Sequence, residues 1–216
     1  MSADLVPDEL VDVAPLLRRM VALSPSIVVR IRRAGSRLTA LVQTPFGVLA
    51  ARSIALDAEA TRLDLTLSAA ETLAWLDGDD DGSAPSARDA EWRGALPPET
   101  GWQRVDQVPD DVIRSLVRAG ALTLKEAAAR EGVPGATPRA EVADVLLDSV
   151  VLTVSQDDGP LTAEVTLRVL SALTRLGFLP RDSHAVVDRA GRWIRVAAAF
   201  GSVYLEAAPS GLTMLR

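Results

Sequence analysis

RAGRWIRVAAAFGSVYL, residues 189–205, is the stretch on which the fold turns. Ile194 and Val196 face one way and Trp193 and Arg195 the other, because successive side chains on a strand point to opposite faces. Arg-Ala-Gly opens the stretch and Phe-Gly interrupts it, and glycine is the residue that admits tight reversals. With residues 184–188 before it, the stretch predicts three antiparallel strands, 184–188, 192–198 and 202–207. RAGSRLTALVQTPFG, residues 33–47, carries the same punctuation. Gly35 to Phe46 is eleven residues and Gly191 to Phe200 is nine, and a difference of two keeps the same face buried. Strands are expected here at 27–33, 38–44, 48–56 and 62–67, with Ile27, Val29 and Ile31 opposite Val28, Arg30 and Arg32. A helical pattern precedes each set: Leu10, Val13, Leu17 and Met20 within 8–23, and Leu161, Val165, Val169, Leu173 and Leu176 within 160–176. Pro15 either kinks the first of these or begins a shorter helix, and Gly177 closes the second. The pattern is that of an α+β protein: two helix-plus-antiparallel-meander halves, a degenerate internal repeat, joined by a helical middle segment.

Between the halves, Ser68 caps a helix over AAETLAWL, with Glu71 three residues on. Residues 78–90 read as a linker, and Trp92 and Trp102 mark 91–107 as a segment that packs. A helix is expected over 110–131, packed in the core by its apolar stripe, with Gly120 as a candidate break. A second helix spans 138–148, capped by Thr137, and VVLTV, 150–154, reads as a short buried strand. Three segments result: 1–77, 78–107 and 108–216.

The chain lacks cysteine, which excludes disulfides, thiolate catalysis and cysteine-ligated metal sites. Its acidic start is not a secretory signal, no apolar run reaches the roughly 20 residues of a membrane span, and the expected setting is the cytoplasm. Cations are 22 arginines and Lys125, and asparagine is absent, a composition expected of a GC-rich genome. A net charge of −6 has the wrong sign for a general binder of nucleic-acid backbone. Most of the excess lies in residues 77–91, with six acids and one base.

DGDDDG, residues 77–82, places Asp77, Asp79, Asp81 and Gly82 at the first four landmarks of a calcium loop. Arg88 stands where the bidentate glutamate is required, so the segment reads as a spacer and no metal is expected. His184 is the one histidine; Asp182, Ser183 and His184 are consecutive, and neighbours on an extended chain point apart, so no relay forms. No nucleophile elbow, phosphate loop or dinucleotide motif is present. No catalytic residue and no cofactor is assigned.

TLKEAAAREGVPGAT, residues 123–137, resembles the helix-turn-helix of the LacI-type repressors at Thr123, Leu124, Lys125, Ala128, Gly132, Val133, Ala136 and Thr137. The resemblance implies a reading helix after it, yet that helix offers Arg139 beside Glu141 and Asp144. TPFGVLAARS (44–53), LTRLGFL (173–179) and GRWIRVAAAFGSVYL (191–205) resemble segments of an uncharacterised protein family of high-GC Gram-positive bacteria, which implies a bacterial cytosolic setting and no activity.

The expected function is a non-catalytic binding or protein-interaction module. The alternative is a DNA-binding regulator using 123–147, and the third reading an enzyme working through carboxylates. The expected partner surface gathers Arg30, Arg32, Arg33 and Arg37 about one Arg-Ala-Gly turn and Arg189, Arg192, Trp193 and Arg195 about the other. Guanidinium groups there suit an acidic protein or a small anion.

Overall fold

A computed structural model of the chain describes residues 5–78, 83–129, 139–157 and 159–207. The fold is α+β, in two compact units, Met1–Leu96 and Pro97–Arg216, each with antiparallel strand pairs.

In the first unit a 3₁₀ turn, Pro7–Val13, leads into α1, Ala14–Leu23, with Pro15 in its first turn. The proline therefore starts a shorter helix, where its missing N–H costs nothing. Leu10, Val13, Leu17 and Met20 are fully buried. Two long strands follow, β1, Val28–Gln43, and β2, Leu49–Ser68. Four short strands were expected, and the turn at residues 34–37 does not form. Gly35 takes the left-handed conformation (φ 57°) while β1 runs on through it. The register explains this. Arg37 pairs with Ala55 and Arg33 with Leu63, so a short step along β1 faces a longer one along β2. The excess is a bulge on β2, and a left-handed glycine lets the strand bend at such a place. Ser68 then caps α2, Ala69–Asp77, its Oγ accepting from the Glu71 N–H at 3.3 Å.

Residues expected to be a free linker are tied down where they are described. Arg88 N–H donates to the Thr66 carbonyl (2.7 Å), and the Asp89 carboxylate accepts from the Thr66 N–H (2.6 Å). Residues 79–82, most of the DGDDDG stretch, lie outside the described residues.

In the second unit β3, Gln103–Pro109, pairs with β6, His184–Ala190. β6 pairs with β7, Trp193–Ala198, and β7 with β8, Gly201–Glu206, which completes the expected meander. Here Arg-Ala-Gly is a true reversal, with Ala190 opposite Trp193 and Gly191 at φ 57°. α3, Asp110–Ala128, passes through Gly120 unbroken, because the missing side chain makes room for Leu167. It is less buried than expected: Ile113 is enclosed, while Val112 and Leu122 are exposed. α4, Arg139–Asp148, is followed by β4, Val150–Ser155, which pairs with β5, Thr162–Thr166. β4 is not the buried strand expected, since Val150 is exposed and Val154 alone in it is enclosed.

The helix expected from residue 160 begins later, as α5, Leu167–Arg175. Thr162 to Thr166 is strand instead, with Ala163 and Val165 buried in alternation and β-branched residues that favour a pleated surface. α5 ends as expected at Gly177: Phe178 N–H donates to the Leu173 carbonyl and Gly177 N–H to that of Thr174, a Schellman closure.

Candidate functional site

Strand alternation sets what each surface arginine touches. In the first unit Arg30 Nε donates to Asp64 Oδ1 at 2.7 Å, and Arg32 lies 3.8 Å from the other oxygen of that carboxylate. The Arg30 guanidinium carbon lies 6.0 Å from the centre of the Trp92 ring. In the second unit Arg195 donates to Asp188 Oδ2 at 2.9 Å and sits 4.6 Å from the centre of the Trp102 ring. Trp102 meets Tyr204 edge to face, with centroids 5.6 Å apart, and its indole N–H donates to the Pro98 carbonyl. Each unit thus repeats one device: an arginine on a strand, an aspartate on the neighbouring strand, and a tryptophan from 91–107 laid on the pair. Cation–π contact and a charge-assisted hydrogen bond satisfy the guanidinium together.

The remaining arginines of the expected surface divide sharply. Arg189 donates to the carbonyls of Gly191 and Thr162, and Arg192 pairs with Glu206. Arg33 lies on the buried face of β1 with Val29 and Ile31, not at a turn tip. It is 4% exposed and donates to both oxygens of Glu9, at 3.0 and 2.8 Å, and to the Thr61 carbonyl at 2.9 Å. Arg37 is exposed and Trp193 half-buried. Arg30, Arg32, Arg33 and Arg37 belong to the first unit, and Arg189, Arg192, Trp193 and Arg195 to the second.

What it does form was not read from the sequence. The 3₁₀ turn Pro7–Val13 and the bulged part of β2 enclose a groove of about 480 Å³ in the first unit. Val11, Ile54 and Leu56 supply its apolar lining, and Val11 is 58% exposed. Asp8, Glu9 and Asp12 supply carboxylates from one wall, and Asp57 and Glu59 from the other. The excess residues of the bulge make that second wall, and the Arg33–Glu9 pair fastens the first to β1. Among the described residues no ion pair reaches Asp8, Asp12, Asp57 or Glu59. Nor do three or more acidic or histidine side chains among the described residues converge closely enough to hold a metal ion.

Of the helix-turn-helix-like segment 123–147, residues 123–128 end α3 and 139–147 lie in α4, while 130–138 lie outside the described residues. The Ser183 hydroxyl donates to the Pro180 carbonyl, not to His184. Asp110, first in α3, accepts from Arg114 at 3.0 Å and receives the Ser183 N–H at 3.4 Å. The Arg114 hydrogen bond, against the opposing effect of burial, holds its carboxyl below the usual carboxylate range.

This arrangement of helices and antiparallel strands is that of the sliding-clamp fold. The chain is similar to the DNA polymerase III subunit beta of Pseudomonas aeruginosa, with 12% identity and a TM-score of 0.57 over 94% of this chain and 64% of that one. The DNA polymerase sliding clamp of Bacillus subtilis gives 12% and 0.54 over 95% and 64%. The Helicobacter pylori beta clamp bound to DNA ligase peptide gives 8% and 0.50 over 95% and 66%. This chain therefore spans just under two thirds of the length of those chains. It belongs to the family described as a domain of unknown function, DUF8185, which matches residues 97–210. Residues 5–94 match a second domain of unknown function, DUF8010. No curated protein matches it in sequence. None of the described helices is long and apolar enough to cross a membrane.

Proposed function

We propose that the chain is a non-catalytic protein-interaction module built on a clamp-like scaffold. The observation that carries this reading is the likeness to sliding clamps over 94% of the chain, at 12% identity. One structure of that fold holds a peptide from another protein. Two surfaces support it. The first is the groove of the first unit, whose volume lies within the range of about 300–1,000 Å³ usual for binding sites. The second is Arg37, which is exposed and enters no ion pair among the described residues, leaving its charge for an acidic partner.

The test is capture from a bacterial lysate on the tagged full chain, with duplex DNA retention measured beside it. The expected outcome is a protein partner retained specifically, with DNA bound no better than to an unrelated acidic protein. Salt-sensitive retention on duplex DNA without any protein partner overturns the reading in favour of a DNA-binding role.

A further inference from the structure

We infer that the groove between the 3₁₀ turn and the β2 bulge receives a protein segment in which arginine or lysine stands beside an aliphatic residue; this rests on the protein-interaction reading above. The argument is one of complementarity. Many acids of the chain are matched by arginines: Asp64 holds Arg30, Glu71 and Glu91 hold Arg88, Asp110 holds Arg114, Asp148 holds Arg168, Asp188 holds Arg195. Other acids, Glu126 and Glu164 among them, enter no ion pair among the described residues, but the groove sets several such acids around one apolar-lined cavity. Arg33 neutralises Glu9 from within, and Asp8, Asp12, Asp57 and Glu59 line the same cavity with no cation of their own among the described residues.

An unpaired acidic surface alone would be ordinary solvated charge. This one encloses apolar side chains, and Val11 is 58% exposed, among the most open large apolar residues described. The occupant must therefore bring both an apolar group, to remove Val11, Ile54 and Leu56 from water, and a cation, to meet carboxylates that come from two walls. Arginine fits best, because its planar fork bonds carboxylates bidentately and is weakly hydrated. A free small cation supplies no apolar surface, and an acidic or purely aliphatic segment meets four like charges or leaves them unanswered.

The groove is also built to last. β-bulges recur beside functional sites because they re-aim side chains away from the ladder. Here the bulge presents Asp57 and Glu59, and the buried Arg33 clamp holds the opposite wall by Glu9.

The test uses the full chain and three fluorescein-labelled hexapeptides: alternating leucine and arginine, alternating serine and arginine, and alternating leucine and glutamate. Anisotropy is read for wild type, for Asp12→Lys/Asp57→Lys, and for Glu126→Lys, a charge reversal on exposed α3. The leucine–arginine peptide is expected to bind wild type and the Glu126 variant alike. The groove variant should lose about tenfold or more, as two close opposite charges become like ones. The serine–arginine peptide should also bind about tenfold more weakly, and the leucine–glutamate peptide not at all. Amide NMR shifts on adding the first peptide should fall on residues 8–12 and 54–60. Equal binding of all three peptides, equal loss in the Glu126 variant, or no binding to wild type overturns the proposal. So does self-association that shifts the same amides, since the occupant is then a second copy. A cellular partner captured equally by wild type and by the groove variant leaves the interaction reading standing and removes the groove from it.

Discussion

Arg33 and Gly35 stand two residues apart and do opposite work. Gly35 admits a backbone conformation that a side chain would strain, while Arg33 sends its guanidinium into the interior to meet Glu9, 24 residues away. A guanidinium that is 4% exposed cannot keep its water shell, and the Glu9 carboxylate and the Thr61 carbonyl are partners that take its place. Glu9→Ala should lower stability by about 3 kcal/mol, read from the urea midpoint, because it removes the carboxylate that meets a buried charge with both its oxygens. The double change Arg33→Met/Glu9→Ala should recover part of that loss, since no charge is then buried. Gly120 makes a different case. Helix propensity favours alanine there, yet a Cβ would overlap the buried side chain of Leu167. Gly120→Ala should therefore destabilise by about 1 kcal/mol net, the overpacking exceeding the propensity gain. Neither role could be read locally. A buried arginine shares its strand alternation with solvated ones, and the neighbour that fixes Gly120 lies on another helix.

Elements were legible where a signal was local and failed where two signals coincided. Ser68 with Glu71, and Gly177, mark helix ends through bonds made within a few residues, and both ends form as expected. Arg-Ala-Gly at 33–35 offers the same left-handed glycine as the reversal at 189–191, and only the partner strand distinguishes a bulge from a turn. Residues 162–166 alternate as a strand and also fit the helical period of the residues after them, and pairing with β4 decides the matter. The start of α3 yields a pH prediction. Asp110 titrates below its unfolded value of about 4, chiefly because Arg114 hydrogen-bonds the charged form. The stabilisation is thus complete above that unfolded value and is lost as pH falls through the folded one. Asp110→Asn should melt below wild type at pH 7, and the gap should close on acidification below about pH 4. A gap that persists unchanged in acid would sink this assignment.

For the whole molecule, a charge of −6 conceals a division between acids that are spent on arginines and acids that are not. The groove was hidden in sequence because Asp8 and Asp12 meet Asp57 and Glu59 only through the bulge, which no periodicity announces. The arginine surface was visible as composition, but pairing across strands had already used most of it. Arg88 supplies a related test at this scale. It holds Glu71 at 2.5 Å and Glu91 at 3.2 Å, so the position where a calcium loop needs glutamate is fixed by a cation. Millimolar calcium should leave the melting temperature where equal magnesium leaves it, and a calcium-specific rise of several degrees would contradict this. The tryptophans are also apportioned, Trp75 and Trp92 to the first unit, Trp102 and Trp193 to the second. The Trp92 indole N–H is buried without an acceptor, whereas that of Trp102 has a carbonyl. An indole without a polar partner emits at shorter wavelength than a hydrogen-bonded one. Trp92 and Trp102 thus emit at different wavelengths, and the spectrum lost in Trp92→Phe should lie to shorter wavelength than that lost in Trp102→Phe, which gives each unit an indole whose melting can be watched by difference in the intact chain.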